Sequence, residues 1–580
     1  MLRNKVSRKY FLLRAQIVSG LFIFATLLLL TRLYFVQIVH GASYAQEAIG
    51  QYTAQNPEAP ARGSIYFTTA DGALVTAATQ QNGWRVAINP TQLGDPSQVY
   101  KQLSAVIPLD KTGFMASVGK KNDPYEEIAY RLTDDQARKV QALNITGVIL
   151  VADEWRFYPG GTLGAQTLGF VGYGPTGSTK TGVYGLEKEY DNTLSETNNG
   201  LYINPFAEIF TSLSSALSTD PAAHEGSVVT SIDPEVESQL EKTLDQVLKQ
   251  YSPTIAGGII MDPTTGAIYG MGSRPGFDPN AYGAVTNPSY YDNTLVSGRY
   301  ELGSIMKPLT MAAGIDSGAI ATSTTYDDTG CITVSGFQVC NYDLRARGVI
   351  PMQQILSQSL NVGASWVATK TGYPTFTKYM KSYGLGEKTG IDLPNEVTGD
   401  LSNLDNGSGP AVNFDTASFG QGIVVSPIEM IRALSALANG GTLPPPHVAL
   451  AVKYNDGITR SISYLQGPRV ISAASSKTVT GMLETVYDDA LGNGKYKMLH
   501  YTAAAKTGTA QLPMPGGGYY PGNVFLHSFF GYFPASAPRF IIFLFAVRPQ
   551  GVEYASESLA PAYFQLEQFL INYYDIPPDR

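Results

Sequence analysis

Three short segments constrain this chain more than anything else in it: Ser304-Ile-Met-Lys307, Ser359-Leu-Asn361 and Lys506-Thr-Gly-Thr509, in that order. Hydroxyls, amines and a carboxamide this far apart act together only in a fold that carries them to one pocket. As a set they equip a serine acyl-transferase whose base is lysine. Two of the three are weak alone. Ser-x-x-Lys recurs at Ser117-Val-Gly-Lys120, and Lys-Thr-Gly occurs at Lys111, Lys180, Lys370, Lys388 and Lys506. Ser-x-Asn occurs once.

Local context separates the copies. Gly303 precedes Ser304, Pro308 suits only a first helical turn, and Leu309, Met311, Ala312, Ala313 and Ile315 continue an apolar run that Gly318 ends. Residues three apart share a helix face, so the Lys307 amine reaches the Ser304 hydroxyl. A helix N-terminus also favours the negative charge of a serine losing its proton. Ser117 lies instead in a polar stretch that reads as a turn region. Lys506 sits among small residues and is followed by Phe529-Phe-Gly-Tyr-Phe533 and Phe540 to Val547, two buried strands joined by a short turn. This places Lys506 on a sheet edge. Of the five histidines, none has the setting of a Ser-His-Asp triad. A lysine base must be neutral near pH 7; burial and a nearby positive Lys506 would both lower the Lys307 pKa.

The N-terminus carries Arg3, Lys5, Arg8, Lys9 and Arg14 ahead of an uncharged stretch from Ala15 to Thr31, and apolar character continues to Val39. This pattern predicts a cytoplasmic tail over 1–14 and a single membrane-spanning helix over 15–39, with the remaining chain outside the cytoplasm. The apolar segment exceeds a signal-peptide core, and no good Ala-x-Ala follows it. Residues 40–225 are mixed and Gly/Thr-rich, without a catalytic cluster, and read as an elongated pedestal; residues 226–580 read as the catalytic domain. There, the segments 255–262 and 267–271 form a hairpin that joins the C-terminal one in an antiparallel sheet. Helices after Ser304 and around Gln354–Thr369, Ile428–Ala438 and Ala560–Tyr574 cover it. The chain ends soon after the last helix, so no further C-terminal domain is expected. The net charge of −8 argues against a nucleic-acid partner.

Cys331 and Cys340 bracket eight residues. A two-residue Ser335-Gly336 turn would pair Val334 with Phe337 and so set Cys331 opposite Cys340, close enough for a disulfide. The alternative is two free thiols in a reducing habitat. Two cysteines with no nearby histidine cannot close a zinc site.

On these motifs the chain resembles the class B penicillin-binding proteins, the monofunctional peptidoglycan DD-transpeptidases. The resemblance extends to Arg156-Phe-Tyr-Pro159, Leu168-Gly-Phe-Val-Gly172, Gly185-Leu-Glu-Lys-Glu-Tyr190, Gly226 to Asp233, Gly386 to Pro394 and Gly420 to Pro427. It implies an α+β fold, an antiparallel sheet flanked by helices, on a pedestal of the dimerisation type. It further implies that Ser304 attacks the D-Ala-D-Ala stem peptide with Lys307 as base. Ser359 would relay a proton to the leaving D-alanine, and Asn361 would hold the peptide amide and Lys307. Lys506, Thr507 and Thr509 would grip the terminal carboxylate, with Gly508 allowing close approach, and the Ser304 and Thr509 amides would hold the oxyanion. β-Lactams would acylate Ser304. No metal or cofactor is implied; a SEDS-type glycan polymerase is the implied membrane partner. The Arg156 and Gly-Phe-Val-Gly segments look more like the division-type branch. Two departures stand out: Leu302 replaces the usual proline, and Arg62-Gly-Ser-Ile-Tyr-Phe-Thr replaces Arg-Gly-x-Ile-x-Asp-Arg. Rival readings are a membrane-anchored β-lactamase or β-lactam sensor, and a non-catalytic cell-wall scaffold.

Overall fold

Two sheets organise the molecule, and the contrast between them follows from sequence pattern. The computed structural model describes residues 62–173, 180–195, 226–454, 457–522 and 524–580, with positions 26, 27, 29, 31 and 32. Of the expected membrane helix over 15–39 only those five positions are described, all helical, and the rest lies outside the described residues; among the described residues no helix is long and apolar enough to cross a membrane.

The first sheet contains β1 (Ile65–Thr68), β2 (Leu74–Ile88), β3 (Glu126–Leu132), β4 (Val148–Phe157), β5 (Gly226–Thr230), β10 (Ala449–Tyr454) and β11 (Thr459–Ser461). Its order is β11-β10-β5-β1-β2-β3, with β4 also on β2. β1 runs parallel to β5, with Ile65 opposite Val228, and the remaining pairs are antiparallel. One sheet thus joins residues 65–157 to strands drawn from beyond residue 225. Beside it, Glu187 lies fully buried between two guanidiniums. Arg62 Nε is 2.7 Å and Arg156 Nε 2.6 Å from its carboxylate. Arg156 Nη1 also donates to the Gly63 carbonyl.

The second sheet has the order β12-β13-β14-β6-β7, every neighbour antiparallel. Its strands are β6 (Ile255–Met261), β7 (Ile268–Arg274), β12 (Ala504–Gln511), β13 (Phe525–Phe533) and β14 (Phe540–Val547). β13 and β14 are apolar at nearly every position because both faces are covered. The two-residue side-chain period sorts them into separate cores. Phe529, Phe533, Ile542 and Leu544 pack with α1 (Pro234–Tyr251) and α6 (Ala560–Tyr573). Phe530, Tyr532, Ile541 and Phe543 pack on the opposite side with α2 (Lys307–Asp316) and α5 (Pro427–Ala438). Each such side chain contributes about 1.5–3 kcal/mol of burial, so the strand holding the Lys506 motif is laid on a rigid neighbour.

Two local expectations change. Ser117 lies in the last turn of a helix over Lys111–Gly119, not in a turn region. The expected helix over 354–369 is two, α3 (Met352–Ser357) and α4 (Asn361–Thr371). Between them Ser359 takes a positive φ of 55° and Leu360 is extended. The left-handed turn costs a non-glycine residue of order 1–2 kcal/mol, and it turns the Ser359 carbonyl and hydroxyl toward the end of α2.

Candidate active site

Each predicted residue reaches the site from a different element. Gly303 has a φ of 65°, and a 3₁₀ turn over Gly303–Met306 carries Ser304 into α2, with Pro308 in its first turn. A Cβ at Gly420 would stand 2.3 Å from the Gly303 carbonyl oxygen, so only glycine lets residues 420–427 close against this turn. β12 lies at the sheet edge, as expected for Lys506, and packs along the turn that carries Ser304.

The side chains meet. Lys307 Nζ is 2.9 Å from Ser304 Oγ, 2.6 Å from the Ser359 carbonyl oxygen, 3.2 Å from Ser359 Oγ and 2.8 Å from Asn361 Oδ1. Lys506 Nζ is 2.9 Å from Ser359 Oγ and 2.9 Å from the Thr507 carbonyl oxygen. One hydroxyl therefore bridges two amines. Lys307 is 1 % exposed and Lys506 2 %, while Ser304, Ser359 and Asn361 stay half-buried. The remaining Lys-Thr-Gly copies sit elsewhere, Lys111 and Lys370 in helices, Lys180 on a short strand and Lys388 at the surface.

Among the described residues neither lysine has a carboxylate partner; each is solvated by carbonyls and hydroxyls. Burial lowers the Lys506 pKa to about 7. Burial, then repulsion from Lys506, holds Lys307 well below the usual ammonium range. Two unit charges about 5 Å apart repel by ~3 kcal/mol at an effective dielectric near 20, so the pair holds one proton more readily than two. Burial and Lys506 thus both favour the neutral amine at Lys307, 2.9 Å from Ser304 Oγ.

Thr507 and Thr509 lie half-buried along β12. The Thr509 hydroxyl accepts a hydrogen bond from the Ala555 amide. The need for glycine at 508 is internal: a Cβ there would stand 2.2 Å from Ser528 Oγ and 2.7 Å from the Leu302 carbonyl oxygen. Close approach is thus required by the strand's own neighbours. Cys331 and Cys340 form a disulfide across β8 (Cys331–Val334) and β9 (Phe337–Cys340), in the register Cys331 opposite Cys340. Ser335 and Gly336 both have positive φ, as a tight hairpin turn requires.

Sequence reasoning missed three contributors. The Cys340 carbonyl accepts from Asn361 Nδ2 at 2.9 Å. Asn341 accepts from the Val362 amide. Glu301, just ahead of the Gly303–Met306 turn, accepts from Tyr519 and the Gly422 amide. The first two contacts join a hairpin to a helix about twenty residues away, a juxtaposition no local pattern announces.

The family model described as the penicillin binding protein transpeptidase domain matches residues 256–565, and that of the penicillin-binding protein dimerisation domain matches 57–205. The chain is 31% identical to stage V sporulation protein D of Bacillus subtilis over 92% of this chain and 81% of the relative. It is 24% identical to the peptidoglycan D,D-transpeptidase FtsI of Escherichia coli K12 over 82% and 76%. Among solved structures, penicillin-binding protein 2X of Streptococcus thermophilus matches with a TM-score of 0.69 at 19% identity, covering 90% of this chain and 81% of that one. Penicillin-binding protein 3 of Mycobacterium tuberculosis, in complex with aztreonam, matches with a TM-score of 0.64 at 25% identity, covering 74% and 92%.

Proposed function

This chain belongs to the penicillin-binding protein transpeptidase family, class B, and we propose that it cross-links peptidoglycan by acyl transfer through Ser304. The observation that carries the reading is the buried, carboxylate-free pair Lys307 and Lys506 around Ser359, with Ser304 at 2.9 Å from Lys307.

Lys307 takes the Ser304 proton, and Ser304 Oγ attacks the carbonyl of the penultimate D-alanine of a stem peptide. The Ser304 and Thr509 amides hold the oxyanion. Ser359, between the two amines, passes a proton to the departing D-alanine. Asn361 steadies Lys307 and the peptide amide, while Lys506, Thr507 and Thr509 engage the terminal carboxylate. An amine of a neighbouring stem then attacks the acyl-enzyme, forms the cross-link and frees Ser304. A β-lactam enters the same path and stays as the acyl group.

The basic residues before the uncharged Ala15–Thr31 run support a single-pass anchor with the catalytic domain outside the cytoplasm. A pedestal over 40–225 then holds the site off the membrane, and a SEDS-type glycan polymerase is the membrane partner, in division-type wall synthesis. Fluorescent penicillin on the full-length chain, followed by peptide mapping, tests the reading. A stable adduct on Ser304, absent from Ser304→Ala, is expected. Rapid drug hydrolysis would make the chain a β-lactamase, and full cell-wall function in a Ser304→Ala strain would make it a scaffold.

A further inference from the structure

A neutral lysine amine has two protons and one lone pair. Around Lys307, two oxygens that can only accept lie within bonding distance: the Ser359 carbonyl at 2.6 Å and Asn361 Oδ1 at 2.8 Å. Together they take both protons, and the lone pair is left for the Ser304 hydroxyl at 2.9 Å. This allotment holds only while the Asn361 amide presents oxygen to Lys307. A flipped amide would present Nδ2, a donor, and free one amine proton to turn toward Ser304. The flip is opposed by the Cys340 carbonyl, which accepts from Asn361 Nδ2 at 2.9 Å.

Cys340 ends a hairpin whose tip projects from the body, with Phe337 64% exposed. Its base is held from beneath by a buried polar pair. Asn341 is 1% exposed and Asp328 fully buried. Asn341 Nδ2 donates to both Asp328 oxygens, at 2.9 and 3.0 Å. Asn341 Oδ1 accepts from the Val362 amide, the residue after Asn361, at 3.1 Å. Asp328 also accepts from the Arg347 amide, and Asn341 donates its own amide to the Gly330 carbonyl.

We propose that Asp328 and Asn341 are positioning residues for acyl transfer: they pin the Cys340 carbonyl over Asn361, and so set the amide orientation that aims the Lys307 lone pair at Ser304. The proposal rests on the functional reading above. Lys506 is the charged group facing Lys307 from β12, and the Phe419 ring lies 6.0 Å away. Asp328 faces Asn341, Tyr326 and Arg347; its effect on Lys307 passes through the hairpin.

The test is the single-turnover acylation rate of the full-length chain by fluorescent penicillin as a function of pH, for native protein, Asp328→Asn, Asn341→Leu and the swap Asp328→Asn/Asn341→Asp. Protonated Lys307 cannot take the Ser304 proton, so the rate falls on the acid side. In either single variant the hairpin loosens and Asn361 Nδ2 can face Lys307, which disfavours the ammonium. The plateau is then expected to fall by about tenfold or more, since a misplacement near 1 Å costs on the order of 10²-fold, and the acid limb to move to lower pH. A merely looser fold lowers the plateau and leaves the limb in place. The swap rebuilds the pair with its roles exchanged: the carboxamide now at position 328 donates to the carboxylate at position 341, which still accepts from the Val362 amide. It is expected to recover both plateau and limb. Single variants within twofold of native, a lowered plateau with an unmoved limb, or a swap no better than Asp328→Asn would each overturn the proposal. Native protein that takes no label on Ser304 would instead refute the functional reading itself.

Discussion

Two clusters of buried charge in this molecule answer the same physical problem in opposite ways. At the junction beside the first sheet, Glu187 is fully buried and Arg62 and Arg156 close on it at 2.7 and 2.6 Å. The guanidiniums outweigh the cost of burial and hold the Glu187 pKa below the usual carboxylate range, so the charges persist. At the catalytic centre Lys307 and Lys506 are as deeply buried and have only neutral oxygens for company. There desolvation wins and both amines are held below the usual ammonium range. Opposite charges make a brace; like charges make a base. What distinguishes the clusters is the company each charge keeps, since burial is common to both.

Removing each anchor sharpens the comparison. Lys307→Met deletes the proposed base and fills its space with a similar apolar chain. Acylation is expected to fall by about 10²–10⁴-fold, while the melting temperature at neutral pH holds or rises. The sign follows from linkage: a lysine with a lowered folded pKa costs stability below that pKa, and the cost fades as pH climbs toward the unfolded value. Glu187→Leu should do the reverse, stranding the buried Arg156 guanidinium and leaving Arg62 with Asp191 alone, at a cost of about 3–5 kcal/mol in urea unfolding. Molecules still folded should acylate at near-native rate. A Glu187 variant of native stability, or a Lys307 variant that unfolds, would break the contrast.

Lys506→Met has an intermediate effect. Loss of its positive charge raises the Lys307 pKa, so the acid limb of acylation should move to higher pH; an unmoved limb would mean the two amines do not communicate. The smallest change tests a third arrangement. Glu237 is fully buried beside Glu241, with one oxygen lacking a hydrogen-bond partner among the described residues, and its pKa is raised by burial and then by Glu241. A raised carboxyl pKa makes folding progressively less favourable as pH rises from the unfolded pKa to the folded one. Glu237→Gln should therefore raise Tm by a few degrees at neutral pH and leave it unchanged at pH 4, as calorimetry would show.

The catalytic centre was largely legible from residue order. Ser304 and Lys307 are local, three residues apart where a 3₁₀ turn runs into α2, and the Phe-rich strands after Lys506 announce a sheet neighbour. The Ser335-Gly336 turn set the pairing of Cys331 with Cys340, since a two-residue hairpin leaves no freedom of register. What stayed hidden depends on long-range packing. Ser359 reads as mid-helix, and only its contacts with both amines explain a left-handed turn there. Strand β5 pairs with β1 and β10 pairs with β5, joining segments far apart in the chain, which no periodicity reveals. Glu187 sits in a motif whose look is that of any helical Glu-Lys segment, and its two arginines come from elsewhere in sequence.

The central claim is that a neutral Lys307 draws the proton from Ser304. Single-turnover acylation of the native full-length chain by fluorescent penicillin, followed from neutral to mildly acidic pH, tests it most directly. The rate should fall as Lys307 takes up a proton, with the adduct on Ser304 throughout. A rate that stays flat across that range would contradict it.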